Sequence, residues 1–205
     1  KKINTMRRLP VYLLIDTSGS MAGDAIEAMK QGIKALISDL KGDPQALETI
    51  FISLLTFNSY ACQLNPLIEL MSFQEPEFEA GGVTSLGAGL SLLMECMQRE
   101  VKSASANHKG DWQPVVFIFL DGEPTDEWEA IADNFRKQKL GNVVVCLTRN
   151  DSSEEMKRIS DNVVKLSSLQ PDDLKQYLKW VSTSVRSSVS QGLSTLKPPQ
   201  SEVIP

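Results

Sequence analysis

LPVYLLIDTSGSM, Leu9 to Met21, is the stretch on which the fold turns. Its apolar run Leu9–Ile15 is short, unbroken and followed at once by a polar, glycine-containing turn. That pattern fits a central strand buried on both faces, ending where Asp16 begins the turn. A helix follows: Ile26, Met29, Ile33, Leu36, Ile37 and Leu40 share one face of a 3.6-residue period, and Gly42 with Pro44 supplies a stop. The opening of the chain is therefore a βα unit.

Further along, Thr49–Phe57 reads as a second buried strand, Asn58-Ser59 as its turn, and Tyr60–Leu64 as a short antiparallel return strand at the sheet edge. Residues 66–83 carry two prolines and the Gly81-Gly82 pair, and read as a long surface loop with room for a helical turn. Leu86, Leu90, Leu93, Met97 and Val101 mark a second helix. Val115–Leu120 (VVFIFL) is the next buried strand, and Trp128, Ile131, Ala132 and Phe135 stripe the helix after it. Val143–Leu147 and Val163–Leu166 complete the strands, and Leu174, Tyr177, Leu178, Val181 and Val185 stripe a closing helix. Such alternation predicts an α/β fold over residues 7–190. Its sheet is doubly wound, mostly parallel and six-stranded, with one antiparallel edge strand and helices on both faces. The Gly-, Ser- and Pro-rich remainder, residues 191–205, is expected to be a flexible tail.

Composition narrows the function. With 205 residues, 41% hydrophobic and 23% charged, the chain has enough material for one sizeable core. Twenty-six acidic against 21 basic side chains, a net charge of -5, argue against a phosphate-backbone partner. Lys1, Lys2, Arg7 and Arg8 form the one dense basic group, expected to be solvated surface. Cys62, Cys96 and Cys146 lie far apart without CxxC spacing, which fits reduced residues of a cytoplasmic protein and no thiolate metal site. No apolar run approaches the roughly 20 residues of a membrane span, and no secretory h-region follows the first charges.

In doubly wound sheets ligands lie beyond the carboxyl ends of the strands. Two such turns begin with aspartate: Asp16-Thr17-Ser18-Gly19-Ser20 and Asp121-Gly122-Glu123-Pro124-Thr125-Asp126. Spacing Asp16, Ser18 and Ser20 two apart turns a carboxylate and two hydroxyls toward a common point, with Gly19 easing the backbone. Oxygen donors suit Mg²⁺, with Mn²⁺ or Ca²⁺ as other hard cations, rather than zinc.

These stretches, with Thr84 in GGVTSLG, resemble the von Willebrand factor A (vWA) domain family and its metal-ion-dependent adhesion site (MIDAS). The family pattern is DxSxS, then threonine, then aspartate. The resemblance runs from about Leu9 to Val185. It implies a vWA fold in which Asp16, Ser18, Ser20, Thr84 and Asp121 hold the metal directly or through water, and a partner's Asp or Glu completes the shell. It implies no enzymatic activity. The texture of LPVYLLIDTSGSM and KGDWQPVVFIFLDGEPTD is similar to bacterial TerY-like proteins of tellurite-resistance and stress clusters. That likeness implies a protein kinase and a PP2C-type phosphatase as partners.

Each motif also has a plainer reading. Ser20 suits the N-cap of the first helix, Thr84 or Ser85 that of the helix containing Leu86, and Thr125 or Asp126 that of the helix containing Trp128. Met21, Asn58, Ser59, Tyr60 and Glu123 are candidate partner contacts around the rim, although solvated turn chemistry accounts for Glu123 and Asp126 as well. His108 lies in a polar loop without a triad around it, and no GxxxxGK[ST] phosphate loop occurs. A metal-assisted phosphoester hydrolase is the alternative function. It has the metal ligands, but Asp16 and Asp121 supply few carboxylates for such chemistry. A structural module with a vestigial site is the third.

Overall fold

The structure, a computed structural model, describes residues 7–148, 153–191 and 203–204. The chain order is β1 (Leu9–Asp16), α1 (Asp24–Lys41), α2 (Pro44–Thr49), β2 (Ile50–Phe57), β3 (Ala61–Gln63), β4 (Ile68–Glu69) and α3 (Leu86–Glu100). Then come β5 (Val115–Leu120), α4 (Glu129–Gln138), β6 (Asn142–Leu147), α5 (Ser153–Met156), β7 (Asn162–Leu166), α6 (Pro171–Gln191) and β8 (Val203–Ile204). One sheet runs β3-β2-β1-β5-β6-β7-β8, with β4 also beside β2.

The mostly parallel α/β sheet with an antiparallel edge is the expected one, but among the described residues it has eight strands rather than six. β4 pairs antiparallel with Phe51–Ile52 of β2, inside what was expected to be a long loop with room for a helical turn. A 3₁₀ turn, Leu70–Ser72, follows it. β8 pairs parallel with β7. It belongs to the expected tail, whose residues 192–202 and 205 lie outside the described residues.

Side-chain alternation along β1 divides the core. Val11, Leu13 and Ile15 face α1 and α6, while Tyr12 and Leu14 face α3 and α4. At the crossing of α1 and α6, a Cβ on Gly32 would stand 2.1 Å from Leu178 Cδ1, so any larger residue there forces the Leu178 side chain to move. The expected stop at Gly42-Pro44 instead opens α2. Asp43 accepts from the N–H groups of Gln45 and Ala46, and Pro44 takes the first helical turn.

Strand order places β1 between β2 and β5, and the chain reverses its direction of travel across the sheet between β1 and β5. Those strands pair in parallel with Ile15 opposite Phe119. The crevice of a doubly wound sheet opens at that point, which brings the tips bearing Asp16 and Asp121 side by side. At the other end of the same strands, the described part of the basic group is not the solvated surface expected: Arg8 pairs with Asp111 at 2.6 Å. Arg7 lies 3.7 Å over the ring of Trp112. Lys1 and Lys2 lie outside the described residues.

Candidate metal centre

At the end of β1 the backbone turns through a short 3₁₀ segment, Gly19–Met21. Asp16, wholly buried, receives the Ser18 N–H on Oδ1 at 2.8 Å and the Asp121 N–H on Oδ2 at 2.9 Å. One carboxylate thus fixes both strand tips. The Ser18 and Ser20 hydroxyls stand 3.2 Å apart, and Ser20 donates to Asp121 Oδ2 at 2.6 Å. Thr148, at the tip of β6, donates to the other oxygen of Asp121. Asp16, Ser18, Ser20 and Asp121 therefore form one hydrogen-bonded group.

Thr84 reaches the same rim from a third loop. Its N–H donates to Thr125 Oγ1 at 3.2 Å, and its carbonyl accepts the Thr125 N–H at 2.8 Å. The loop before it is stitched to the β1 turn by Gly19 N–H to the Gly82 carbonyl, 3.0 Å, and by Gly81 N–H to the Thr17 carbonyl, 2.9 Å. Gly82 has φ +75, and a Cβ there would sit 2.4 Å from Ser59 Oγ, so this approach requires glycine. Thr17 in turn is held by the Phe57 carbonyl at the end of β2.

The capping duties that competed for these residues fall elsewhere. α1 starts from Gly23, with no side-chain cap, and Ser20 faces Asp121 instead. At α3, Ser85 makes no cap bond. The free N–H groups of Gly87 and Ala88 are taken by the carboxylate of Asp126, at 3.0 Å each. Asp126 is thus neither a solvated turn residue nor a cap for α4, whose N-cap Trp128 has no side-chain bond. With its hydroxyl released from capping, Ser20 bridges Ser18 and Asp121.

Burial pushes the Asp16 carboxyl up to about 6, helped by the neighbouring charge of Asp121 and opposed by the Ser18 and Asp121 donors. The hydrogen-bond partners described for both carboxylates are neutral: backbone N–H, serine and threonine. Two carboxylates so placed call for a cation. The donor set fits a hard one. A hydroxyl separation of 3.2 Å lies close to the ~3.0 Å edge of an octahedron with metal–oxygen bonds of roughly 2.1 Å. Among the described residues no group of three or more His, Cys, Asp and Glu forms a metal cluster, so any site here rests on hydroxyls as much as on carboxylates.

Of the candidate partner contacts, Ser59, Tyr60 and Glu123 are exposed and Asn58 is half-buried. Met21 is fully buried beneath the loop, packed in the core shared with α1, and offers nothing to a partner. Its place next to the metal motif suggested the rim, but the 3₁₀ turn folds its side chain inward. Thr148 and the capping role of Asp126 were not anticipated. For Thr148 the signal was its position directly after a buried strand, at a third tip of the sheet. His108 is exposed, as expected.

A family model for the von Willebrand factor type A domain matches residues 11–179. No curated protein matches the chain. Among solved structures, a von Willebrand factor type A protein from Catenulispora acidiphila superposes with a TM-score of 0.66 at 17% identity, over 87% of this chain and 43% of that one. The D319A mutant of the PilB minor pilin from Streptococcus sanguinis gives 0.67 at 12%, over 94% and 65%. Proximal thread matrix protein 1 from the mussel byssus, with a zinc-occupied MIDAS motif, gives 0.62 at 16%, over 88% and 48%. The chain spans from under half to about two thirds of the length of these structures, and at such identities the likeness is one of fold.

Proposed function

We propose, from the premise that this chain belongs to the von Willebrand factor type A domain family, that it is a non-catalytic interaction module. In this reading Asp16, Ser18, Ser20, Thr84 and Asp121 hold Mg²⁺, with Mn²⁺ and Ca²⁺ as substitutes, and the site docks an Asp or Glu of a partner protein. The family is one of metal-binding protein-interaction modules, and a relative in fold carries zinc in the corresponding motif.

The observation that carries this reading is the hydrogen-bonded group Ser18–Ser20–Asp121–Asp16, assembled from two strand tips and freed from capping. When bound, the cation supplies an electron-poor centre able to accept an outside carboxylate. The chain's own residues do the rest: Asp16 locks both tips, the serine hydroxyls supply neutral donors, and Thr148 orients Asp121. Because three of the five donors are hydroxyls and only Asp16 and Asp121 are carboxylates, the site balances at most the formal charge of the ion and leaves it attractive to an acid.

The test is calorimetric titration with Mg²⁺ and Mn²⁺ in the presence of acetyl-Gly-Glu-Gly-amide. Binding is expected, and is lost in Asp16→Ala and Asp121→Ala. Absence of binding with either cation, peptide present, sinks the reading. Thr148→Val should weaken Mg²⁺ about tenfold, as loss of a group orienting a metal ligand does, and Thr148→Ser should restore it. An unchanged affinity in Thr148→Val removes Thr148 from the site.

For the cellular role, we extend the reading to a cytoplasmic, bacterial TerY-like stress or tellurite-resistance system, with a protein kinase and a PP2C-type phosphatase as partners. Its support is the sequence likeness at Leu9–Met21 and Lys109–Asp126. Among the described residues no helix is long and apolar enough to cross a membrane. The two enzymes should co-purify with the chain in Mg²⁺ and be lost in EDTA. Recovery in both conditions, or in neither, counts against it.

A further inference from the structure

The large hydrophobic side chains exposed among the described residues are Tyr60 at 82%, Met71 at 66% and Val83 at 50%. A single exposed apolar residue needs no explanation. Tyr60 and Val83, however, lie on one rim. Val83 N–H donates to Ser59 Oγ at 3.2 Å, joining the β2–β3 turn to the loop that delivers Thr84. Met71 belongs to the 3₁₀ turn after β4, which pairs near the start of β2 rather than its tip.

The turn that carries Tyr60 is held on several sides. Asn58 N–H donates to the Tyr60 carbonyl at 3.0 Å, and Tyr60 N–H donates to Asn58 Oδ1 at 3.1 Å. The Asn58 carbonyl accepts the Ser85 N–H at 2.9 Å. An exposed aromatic on a fixed backbone loses little freedom on binding, and that is the character of a contact anchor. On the other side of Thr84 the rim is acidic. The loop bonded to Thr84 through Thr125 presents Glu123 and Glu127, both exposed. With a net charge of -5 behind it, that flank repels an acidic tract.

The geometry points to a partner of defined chemistry: a segment with one isolated Asp or Glu and, directly next to it, an aromatic or large aliphatic side chain that packs on Tyr60 and Val83. This rests on the metal-dependent reading above. The metal takes the acid, while Tyr60 and Val83 select its neighbour. Runs of acids are disfavoured, so the site distinguishes a lone carboxylate in apolar company from a polyacidic tail.

Four peptides test it by titration against the full chain in Mg²⁺: acetyl-Gly-Glu-Gly-amide, acetyl-Phe-Glu-Gly-amide, acetyl-Gly-Glu-Phe-amide and acetyl-Glu-Glu-Gly-amide. One of the two phenylalanine peptides should bind about fivefold tighter than the glycine peptide, as a new aromatic contact supplies. The second glutamate should bring no gain. In Tyr60→Ser the phenylalanine advantage disappears while Mg²⁺ affinity and thermal stability hold. If no peptide binds in Mg²⁺, the metal-dependent reading itself falls and this inference with it. If the glycine peptide binds but phenylalanine adds nothing, or its advantage survives Tyr60→Ser, only the inference is overturned. Sedimentation guards against a different occupant. A Mg²⁺-dependent dimer that Tyr60→Ser dissolves would assign the patch to a second copy of the chain and overturn it as well.

Discussion

Asp16→Asn raises the stability of the metal-free protein at pH 7.5 and abolishes its response to Mg²⁺. The carboxyl of Asp16 is pushed from an ordinary 3.8 up to about 6, chiefly by burial. Raising the carboxyl that far corresponds to roughly 3 kcal/mol of stability forgone once the group is ionised. The sign follows from the folded state holding the proton more tightly than the unfolded one. The contribution is full below about 3.8 and is lost as pH rises through about 6. Asparagine has the same shape and no charge. Its carbonyl keeps one of the two N–H bonds that Asp16 accepts, and its amide faces the other donor at a cost of about 1 kcal/mol. The net expectation is a gain of about 1–2 kcal/mol at pH 7.5, shrinking to nothing or reversing at pH 4, read from thermal unfolding in chelator. With saturating Mg²⁺ the order inverts, because a ligand stabilises the form that binds it and the variant lacks the carboxylate. A variant equally destabilised at both pH values would show that burial strain at Asp16 is not what the site holds in reserve.

The aspartates were legible because their position depends on local pattern. A continuous apolar run ending in aspartate marks a strand tip, and Val115–Leu120 followed by Asp121 repeats Leu9–Ile15 followed by Asp16. That they adjoin follows from strand order, which the alternation of helices and strands nearly determines. Thr148 was not legible as a contact, since its partner Asp121 lies 27 residues earlier and only the sheet brings them together. The same holds for Asp126, which looks like the cap of the helix next to it and instead caps α3, across 38 and 39 residues. β4 was hidden for a related reason: Ile68–Glu69 has little strand character of its own and forms because the free edge of β2 beside Phe51–Ile52 needs partners. α2 was a misread signal rather than an absent one, for Asp43-Pro44 is a helix start as much as a stop.

The misreading of Arg7 and Arg8 carries the other large prediction. Asp111 has a side chain only 3% exposed and accepts from Arg8 Nε at 2.8 Å, Arg8 Nη2 at 2.6 Å and Lys102 N–H at 2.8 Å. Arg8 also donates to the Glu100 carbonyl at 2.9 Å and lies 4.7 Å over the ring of Phe51. Removing the guanidinium leaves a buried carboxylate without its counter-charge, an error that costs about 3–5 kcal/mol in such settings. Arg8→Ala should therefore lower the unfolding free energy by about 3 kcal/mol, read as a fall in the urea midpoint. Arg7→Ala, which loses a stacking contact and two bonds to backbone carbonyls near the surface, should cost about 1 kcal/mol. Asp111→Ala should fall near Arg8→Ala, and the double variant should cost much less than their sum, because each single change already breaks the pair. The pair ties the entry of β1 to the loop that leads into β5, at the end of the sheet opposite Asp16 and Asp121. Calorimetric Mg²⁺ affinity of folded Arg8→Ala at low temperature should consequently match the parent. Equal small losses for Arg7→Ala and Arg8→Ala would return both residues to the solvated surface, and a lost Mg²⁺ affinity would mean that strain at one end of β1 and β5 reaches the other.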